Sequence, residues 1–332
     1  MFIRIASLLV TALLAGAVSA QPVLNIYTNP SFAAEWGPGP AIKTAFETQC
    51  ECQLNLVVME SGGDILQRLR LEGASTQADL VLGLDTGTME AARKTGLLSP
   101  HKVDTAALNL PVSWTDPVFV PFDWGYFAFV YDTEQLQTPP ASLEELINAP
   151  DDLKIIIQDP RTSTPGLGLL LWMRKVYGDQ APAKWEKLKS KILTTTKSWS
   201  DGYFSLFLNG EAPMILSYST SPAYHMAIDK TDRYQAADFA EGHYLQVEVA
   251  ALVDSSDQKA LGRQFLQFML TPDFQRHIPL KNVMYPAIDL GPELPEVFQQ
   301  LIQPARTLYF DPAEVASQRR NWVDEWLDAM TR

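Results

Sequence analysis

The chain has 332 residues and a formal net charge of −13, with 26 Lys and Arg against 39 Asp and Glu. That balance argues against a nucleic-acid binder, which needs basic patches, and against an anionic membrane surface; a cationic or zwitterionic small ligand suits the sign. The length suggests about two domains, each able to bury its own core.

Residues 1–20 read as a secretory signal. Arg4 supplies the positive start, residues 8–15 the apolar core, and Val18-Ser19-Ala20 a small-x-small cleavage site before Gln21. The apolar stretch is too short to span a bilayer, and no Cys follows the cleavage point to carry a lipid. A soluble, exported chain beginning at Gln21 is therefore expected. Cys50 and Cys52 are separated by one residue. In an oxidising compartment this pair is expected to form a tight disulfide, and two thiols with no nearby His cannot complete a metal cage.

From Gln21 onward, short apolar strands alternate with amphipathic segments. Residues 24–28 read as strand, 33–48 as helix, 53–59 as strand, 64–71 as helix, 79–84 as strand and 89–95 as helix. This rhythm predicts a parallel sheet covered on both faces, with ligands beyond the carboxyl ends of its strands. Pro30-Ser31-Phe32, Ser61-Gly62-Gly63-Asp64 and Asp85-Thr86-Gly87 occupy such ends. Residues 119–132 (FVPFDWGYFAFVYD) form an aromatic, β-branched run that reads as a strand crossing between domains. A second series follows, with helices at 143–148, 166–177 and 182–192, strands at 154–157 and 212–218, and a helix at 199–209. Residues 244–253 read as a return crossing. The last helix spans 312–330, with Trp322 and Trp326 one turn apart as core residues.

Between the strand at 154–157 and the next helix lies Gln158-Asp-Pro-Arg-Thr-Ser-Thr-Pro-Gly-Leu-Gly168. Thr162, Ser163 and Thr164 before Pro165 read as a hydroxyl-capped helix start. Its free N–H groups and dipole suit a phosphate, carboxylate or sulfate. Ser217-Tyr218-Ser219-Thr220-Ser221-Pro222 repeats that chemistry after another strand. Trp36, Trp199, Tyr218 and Tyr224 lie near such strand ends, where aromatic faces attract a flat cation. Capped helices and core aromatics are common, so it is the combination of hydroxyl turns and aromatics that points to a binding cleft. No G-x-S-x-G elbow, P-loop, G-x-G-x-x-G or H-E-x-x-H occurs, and His101, His225, His243 and His277 are scattered. No metal site, cofactor or enzymatic chemistry is expected.

The strings AAEWGPGPAIKTAFE (33–47), QDPRTSTPGLGLLLWMRKVYGD (158–179), LSYSTSPAYH (216–225) and EGHYLQVEVAA (241–251) resemble the periplasmic thiamine-binding family of bacterial thiamine ABC importers. The resemblance runs from about residue 22 to the C-terminus. It implies an α/β, two-lobed periplasmic binding protein fold (type 2) with two crossover strands and a ligand cleft between lobes. One lobe would hold 21–120 with about 240–290, the other about 121–239 with 291–332. Thiamine and its mono- and diphosphates would be captured in the cleft between lobes, the thiazolium cation suiting aromatic faces and an acidic protein, with no nucleic acid involved. The chain would act as a monomer and deliver its ligand to an inner-membrane ABC permease with its ATPase. Carried onto matching positions, Ser163 and Thr164 face the phosphate or hydroxyethyl end, and Ser61 and Gly62 reach the ligand from the other lobe. Trp199, Tyr218, Ser219, Thr220 and Ser221 add contacts, while Trp36 and Tyr224 flank the rings. Two positions depart from the family's pattern: Val283 stands for a tryptophan and Asn29 for a tyrosine, which leaves preference among thiamine forms open. Two rivals are weaker. Ferric-iron capture calls for phenolate ligands, and Tyr218 has no adjacent second Tyr; an enzyme acting on thiamine needs a nucleophile or base in the cleft.

Overall fold

The computed structural model describes residues 21–331; the expected signal segment lies outside the described residues. The strands in chain order are β1 (Val23–Thr28), β2 (Gln53–Val58), β3 (Leu80–Asp85), β4 (Leu98–Ser99), β5 (Phe119–Asp132), β6 (Ile155–Gln158), β7 (Ile192–Thr196), β8 (Met214–Tyr218), β9 (Tyr234–Ala236), β10 (His243–Val253), β11 (Tyr285–Pro286) and β12 (Thr307–Leu308). Their main path runs β2-β1-β3-β10-β5-β8-β6-β7.

Two strands join the halves of this sheet. The first part of β5, Phe119 to Tyr126, lies antiparallel to β10, and its continuation from Phe127 to Tyr131 lies antiparallel to β8. β10 in turn pairs with β3. β1, β2 and β3 are mutually parallel, as are β6, β7 and β8. The molecule is two-lobed, with the crossovers read from the sequence seen as β5 and β10.

Alternation along the strands sorts side chains to two faces. In the first lobe, Leu24, Ile26, Leu80, Leu82, Val120 and Phe122 pack with Phe46, Phe265 and Phe274 on one face. Tyr27, Val81, Leu84, Phe119, Val247 and Val249 pack on the other with Ile65 and Leu69. The second lobe gathers Phe127, Phe129, Ile155, Ile157 and Trp172 with Trp322 and Trp326 of the final helix, Pro312–Thr331. Both tryptophans are buried, as their spacing predicts. Each such large apolar side chain contributes about 1.5–3 kcal/mol on burial. Cys50 and Cys52 form a disulfide at the junction of the helix Gly39–Cys50 with β2.

Several local expectations differ from the structure. The helix expected over 33–48 is two helices, Pro30–Ala33 and Gly39–Cys50, because Pro38 and Pro40 have no N–H to continue the first one. The helix expected over 182–192 ends at Leu188, and the β-branched run Ile192–Thr196 is β7, paired with β6. The helix expected over 199–209 is one α-turn, Trp199–Gly202, followed by a wider π-turn, Tyr203–Phe207.

Candidate ligand-binding site

The carboxyl ends of β1, β2 and β3 and those of β6, β7 and β8 lead into the turns singled out in the sequence. Each turn satisfies its own backbone first. After β1, Asn29 Oδ1 accepts from the Phe32 N–H and from Ser31 Oγ, both at 2.9 Å. After β2, Ser61 Oγ caps the helix Gly62–Glu72 by accepting from the Asp64 N–H at 3.2 Å and donates to Asp64 Oδ2 at 2.7 Å. Gly62 is buried so closely against β3 that a Cβ there would lie 2.5 Å from the Gly83 carbonyl.

In the second lobe, the helix start Thr164–Tyr177 is built differently from the expected hydroxyl cap. Ser163 occupies the N-cap position, is 8% exposed and makes no side-chain cap bond. Its neighbours' hydroxyls turn elsewhere: Thr162 Oγ1 donates to the Lys197 carbonyl at 2.7 Å, and Thr164 Oγ1 donates to Asp85 Oδ2 at 3.0 Å. The reason is that Asp85, at the end of β3, supplies a carboxylate to this positive helix end. The same carboxylate accepts from the Gly87 N–H at 2.9 Å and from Thr88 Oγ1 at 3.0 Å through Oδ1.

The turn after β8 lies against the crossing strand. Tyr218 pairs with Phe127 in the ladder, and the Ser219 N–H donates to the Tyr126 carbonyl at 2.8 Å. Ser221 Oγ lies 2.8 Å from Ser217 Oγ and accepts from the Tyr218 N–H at 3.3 Å. Ser217 Oγ also accepts from the Trp199 indole N–H at 2.9 Å. Thr220 Oγ1 points at Met284 Sδ, and Ser219 Oγ is buried with no hydrogen-bond partner among the described residues. Trp199 stacks on Tyr203 with ring centres 4.8 Å apart. Tyr224 is exposed and edge-on to His225, while Trp36 is 56% exposed in the turn before Gly39–Cys50. The Thr164, Tyr218 and Ser219–Ser221 group is thus brought to β3 and the crossing strands. Ser61 and Gly62 stand one strand further out, and Trp36 and Tyr224 lie at the surface.

Sequence reasoning missed the groups beneath these turns. Glu248 on β10 stands opposite Asp123 on β5 and opposite Asp85 on β3, so three carboxylates form one row across adjacent strands. Asp123 is fully buried; its Oδ2 accepts from the Asn282 side-chain amide, and its Oδ1 has no partner among the described residues. Gln246 donates to Glu248 Oε1 at 3.0 Å, and its own Oε1 is likewise unpartnered. Burial and then the Asp85 charge push the Glu248 carboxyl up to about 8, although its side chain keeps some solvent exposure. Burial and then Glu248 raise Asp123 well above the usual carboxylate range. Burial, followed by Glu248, Asp85 and Asp123, raises the Tyr218 phenol well above its ordinary value. The available signal was a lone acid inside each apolar crossing run.

Val283 adjoins this row with φ 55°, a left-handed backbone that a β-branched residue rarely adopts. It is held between Asn282, on Asp123, and Met284, against Thr220. Val283, which the sequence resemblance marks as an expected departure, therefore lies beside the carboxylates.

A family model described as bacterial extracellular solute-binding protein matches residues 41–278. The chain is 55% identical over 315 residues to the thiamine-binding periplasmic protein of Escherichia coli strain K12, covering 95% of each chain. It resembles a solved periplasmic thiamin binding protein with a TM-score of 0.90 at 55% identity, covering 94% of this chain and 97% of that one. A ferric binding protein from Campylobacter jejuni shares the fold at 18% identity and a TM-score of 0.76, covering 92% and 99% respectively, a likeness of fold alone.

Proposed function

We propose, from the premise that this chain belongs to the family of thiamine-binding periplasmic proteins, that it captures thiamine in the cleft between its lobes and delivers it to an ABC importer. It is a periplasmic solute-binding protein with the type 2 binding-protein fold, and not an enzyme. The observation that carries the reading is the 55% identity to a thiamine-binding relative over 95% of the chain. The physical chemistry supports it. Thiamine carries a thiazolium cation, and the turns of both lobes meet over an acidic row with an aromatic ring beside it.

The finer reading extends to thiamine monophosphate and diphosphate as ligands and to transfer onto an inner-membrane permease with its ATPase by a monomer. The proposed contacts are Ser163 and Thr164 toward the hydroxyethyl or phosphate end, where the 14-residue helix Thr164–Tyr177 offers its N-terminus. Ser61 and Gly62 reach in from the first lobe; Trp199, Tyr218, Ser219, Thr220 and Ser221 line the second; Trp36 and Tyr224 flank the rings. The proposed lobes comprise 21–120 with about 240–290 and about 121–239 with 291–332. Closure of one lobe on the other buries the ligand, and the closed form is the one that docks. Calorimetric titration of the chain from Gln21 with thiamine and its two phosphates tests this reading. Affinity for none of them tighter than about 10 μM would refute it.

A further inference from the structure

We propose that the row Asp85–Glu248–Asp123 is the seat of the ligand's positive charge, and that it gives up a proton when that charge arrives. The proposal rests on the reading of the cleft as a thiamine site and deepens it.

The geometry carries it. β3, β10 and β5 are adjacent strands, and ladder partners on adjacent strands lie about 5 Å apart, where like charges oppose one another. The groups facing Glu248 are Asp123 from β5, Asp85 from β3, Tyr218 from β8, Gln246 on its own strand and Asn282 before β11. None of these carries a positive charge. Arg319 on the helix Pro312–Thr331 faces Asp85 and is itself opposed by Arg70 of Gly62–Glu72. Its charge is directed to the Asp85 end of the row, and among the described residues none brings a cation to the Glu248 and Asp123 end.

A second observation points into the same place. Gln246, 2% exposed, donates to Glu248 and keeps its own carbonyl oxygen without a partner among the described residues. Asp123 Oδ1 is in the same condition. Buried acceptors with no donor call for a donor or a cation. Ordinary proteins satisfy such groups internally; here the deficit is on one side of the charge balance, and it lies where the turns of both lobes converge.

The free row holds a proton because three carboxylates so close, and partly buried, do not all ionise together. The upward shift of Glu248 and Asp123 agrees with that. When thiazolium enters, one carboxylic acid of the row becomes a carboxylate and its proton passes to solvent. No other bond changes, and the charge of the occupied site equals that of the free one.

The test is calorimetry of the full mature chain with thiamine and with a neutral analogue whose thiazolium nitrogen is replaced by carbon. Each is run in phosphate and in Tris, whose ionisation heats differ. The expected result at pH 7 is release of close to one proton per thiamine, and an affinity rising about tenfold per pH unit until about pH 8. The neutral analogue should bind with no proton release. Glu248→Gln should weaken thiamine at least tenfold and flatten its pH dependence, while weakening the neutral analogue by much less. If the wild-type protein binds thiamine with no proton release, the proposal is overturned, whether or not the variant folds. Thiamine affinity and pH slope in a folded Glu248→Gln equal to wild type would overturn it equally. Failure of the wild-type protein to bind either compound instead removes the thiamine reading, and this proposal with it.

Discussion

Thr164 donates a hydrogen bond to Asp85 at 3.0 Å, joining the helix start of the second lobe to the last residue of β3 in the first. Asp85 is also the end of the carboxylate row, next to Glu248. One side chain therefore takes part both in the contact between lobes and in the charge of the cleft floor. With the row as the proposed seat of the ligand's charge, closure and ligand charge would be linked through it.

Thr164→Val keeps the side-chain shape and removes the donor. A hydrogen bond of this kind contributes about 1 kcal/mol or somewhat more, so the closed form should be less populated and thiamine affinity should fall about fivefold. Small-angle scattering should show a larger radius of gyration without ligand. An unchanged radius and affinity would mean the contact adds nothing to closure.

The contribution of Glu248 to stability without ligand should decline as pH rises from about 4.5 to about 8, against the opposite trend of the desolvated His225, His243 and His277 below 6.5. Glu248 has an ordinary value of 4.5 and a folded value of about 8, so in that window the unfolded chain sheds a proton that the folded chain keeps. Each pH unit then favours unfolding; below and above the window both states carry the same charge. Melting curves of Glu248→Gln and wild type across this range should converge at low pH and diverge at high pH, the variant melting higher. A constant difference between the two curves would refute the assignment.

The row was the least legible part of the molecule. Lone acids at 123 and 248 inside apolar runs were visible, but only strand register reveals that they stand opposite each other and opposite Asp85. Local patterns carry no register between strands so distant in sequence. The crossing strands and the buried Trp322 and Trp326 were readable, because apolar runs and one-turn spacing are local signals. β7 was missed: the expected helix ran to residue 192, and the threonine-rich stretch after it was given no element, because a strand this short and half exposed leaves no alternating apolar pattern. The Thr162–Thr164 hydroxyls were correctly placed at a helix start, yet their bonds go to Lys197 and Asp85, which no local rule specifies.

Gly168 packs directly on the crossing strand: a Cβ there would sit 2.1 Å from the Phe127 ring. Phe127 is buried and lies 5.2 Å, ring centre to ring centre, from Tyr218. Gly168→Ala should therefore destabilise by about 3 kcal/mol and weaken thiamine binding by displacing Tyr218. Chemical denaturation together with titration checks both effects; wild-type stability would show that the ring moves away freely.

Trp199→Ala and Tyr218→Ala should each weaken thiamine about 2- to 30-fold, the range expected for loss of one aromatic contact with a cation. Both variants should remain folded by circular dichroism. Unchanged affinity in both would leave Trp199 as a packing partner of Tyr203 and Tyr218 as one of Phe127.

The central claim is capture of intact thiamine, and equilibrium dialysis of the mature chain against thiamine tests it most directly. The account predicts one thiamine retained per chain at micromolar concentration and recovered chemically unchanged. Retention of none, or recovery of a cleaved product, would contradict it.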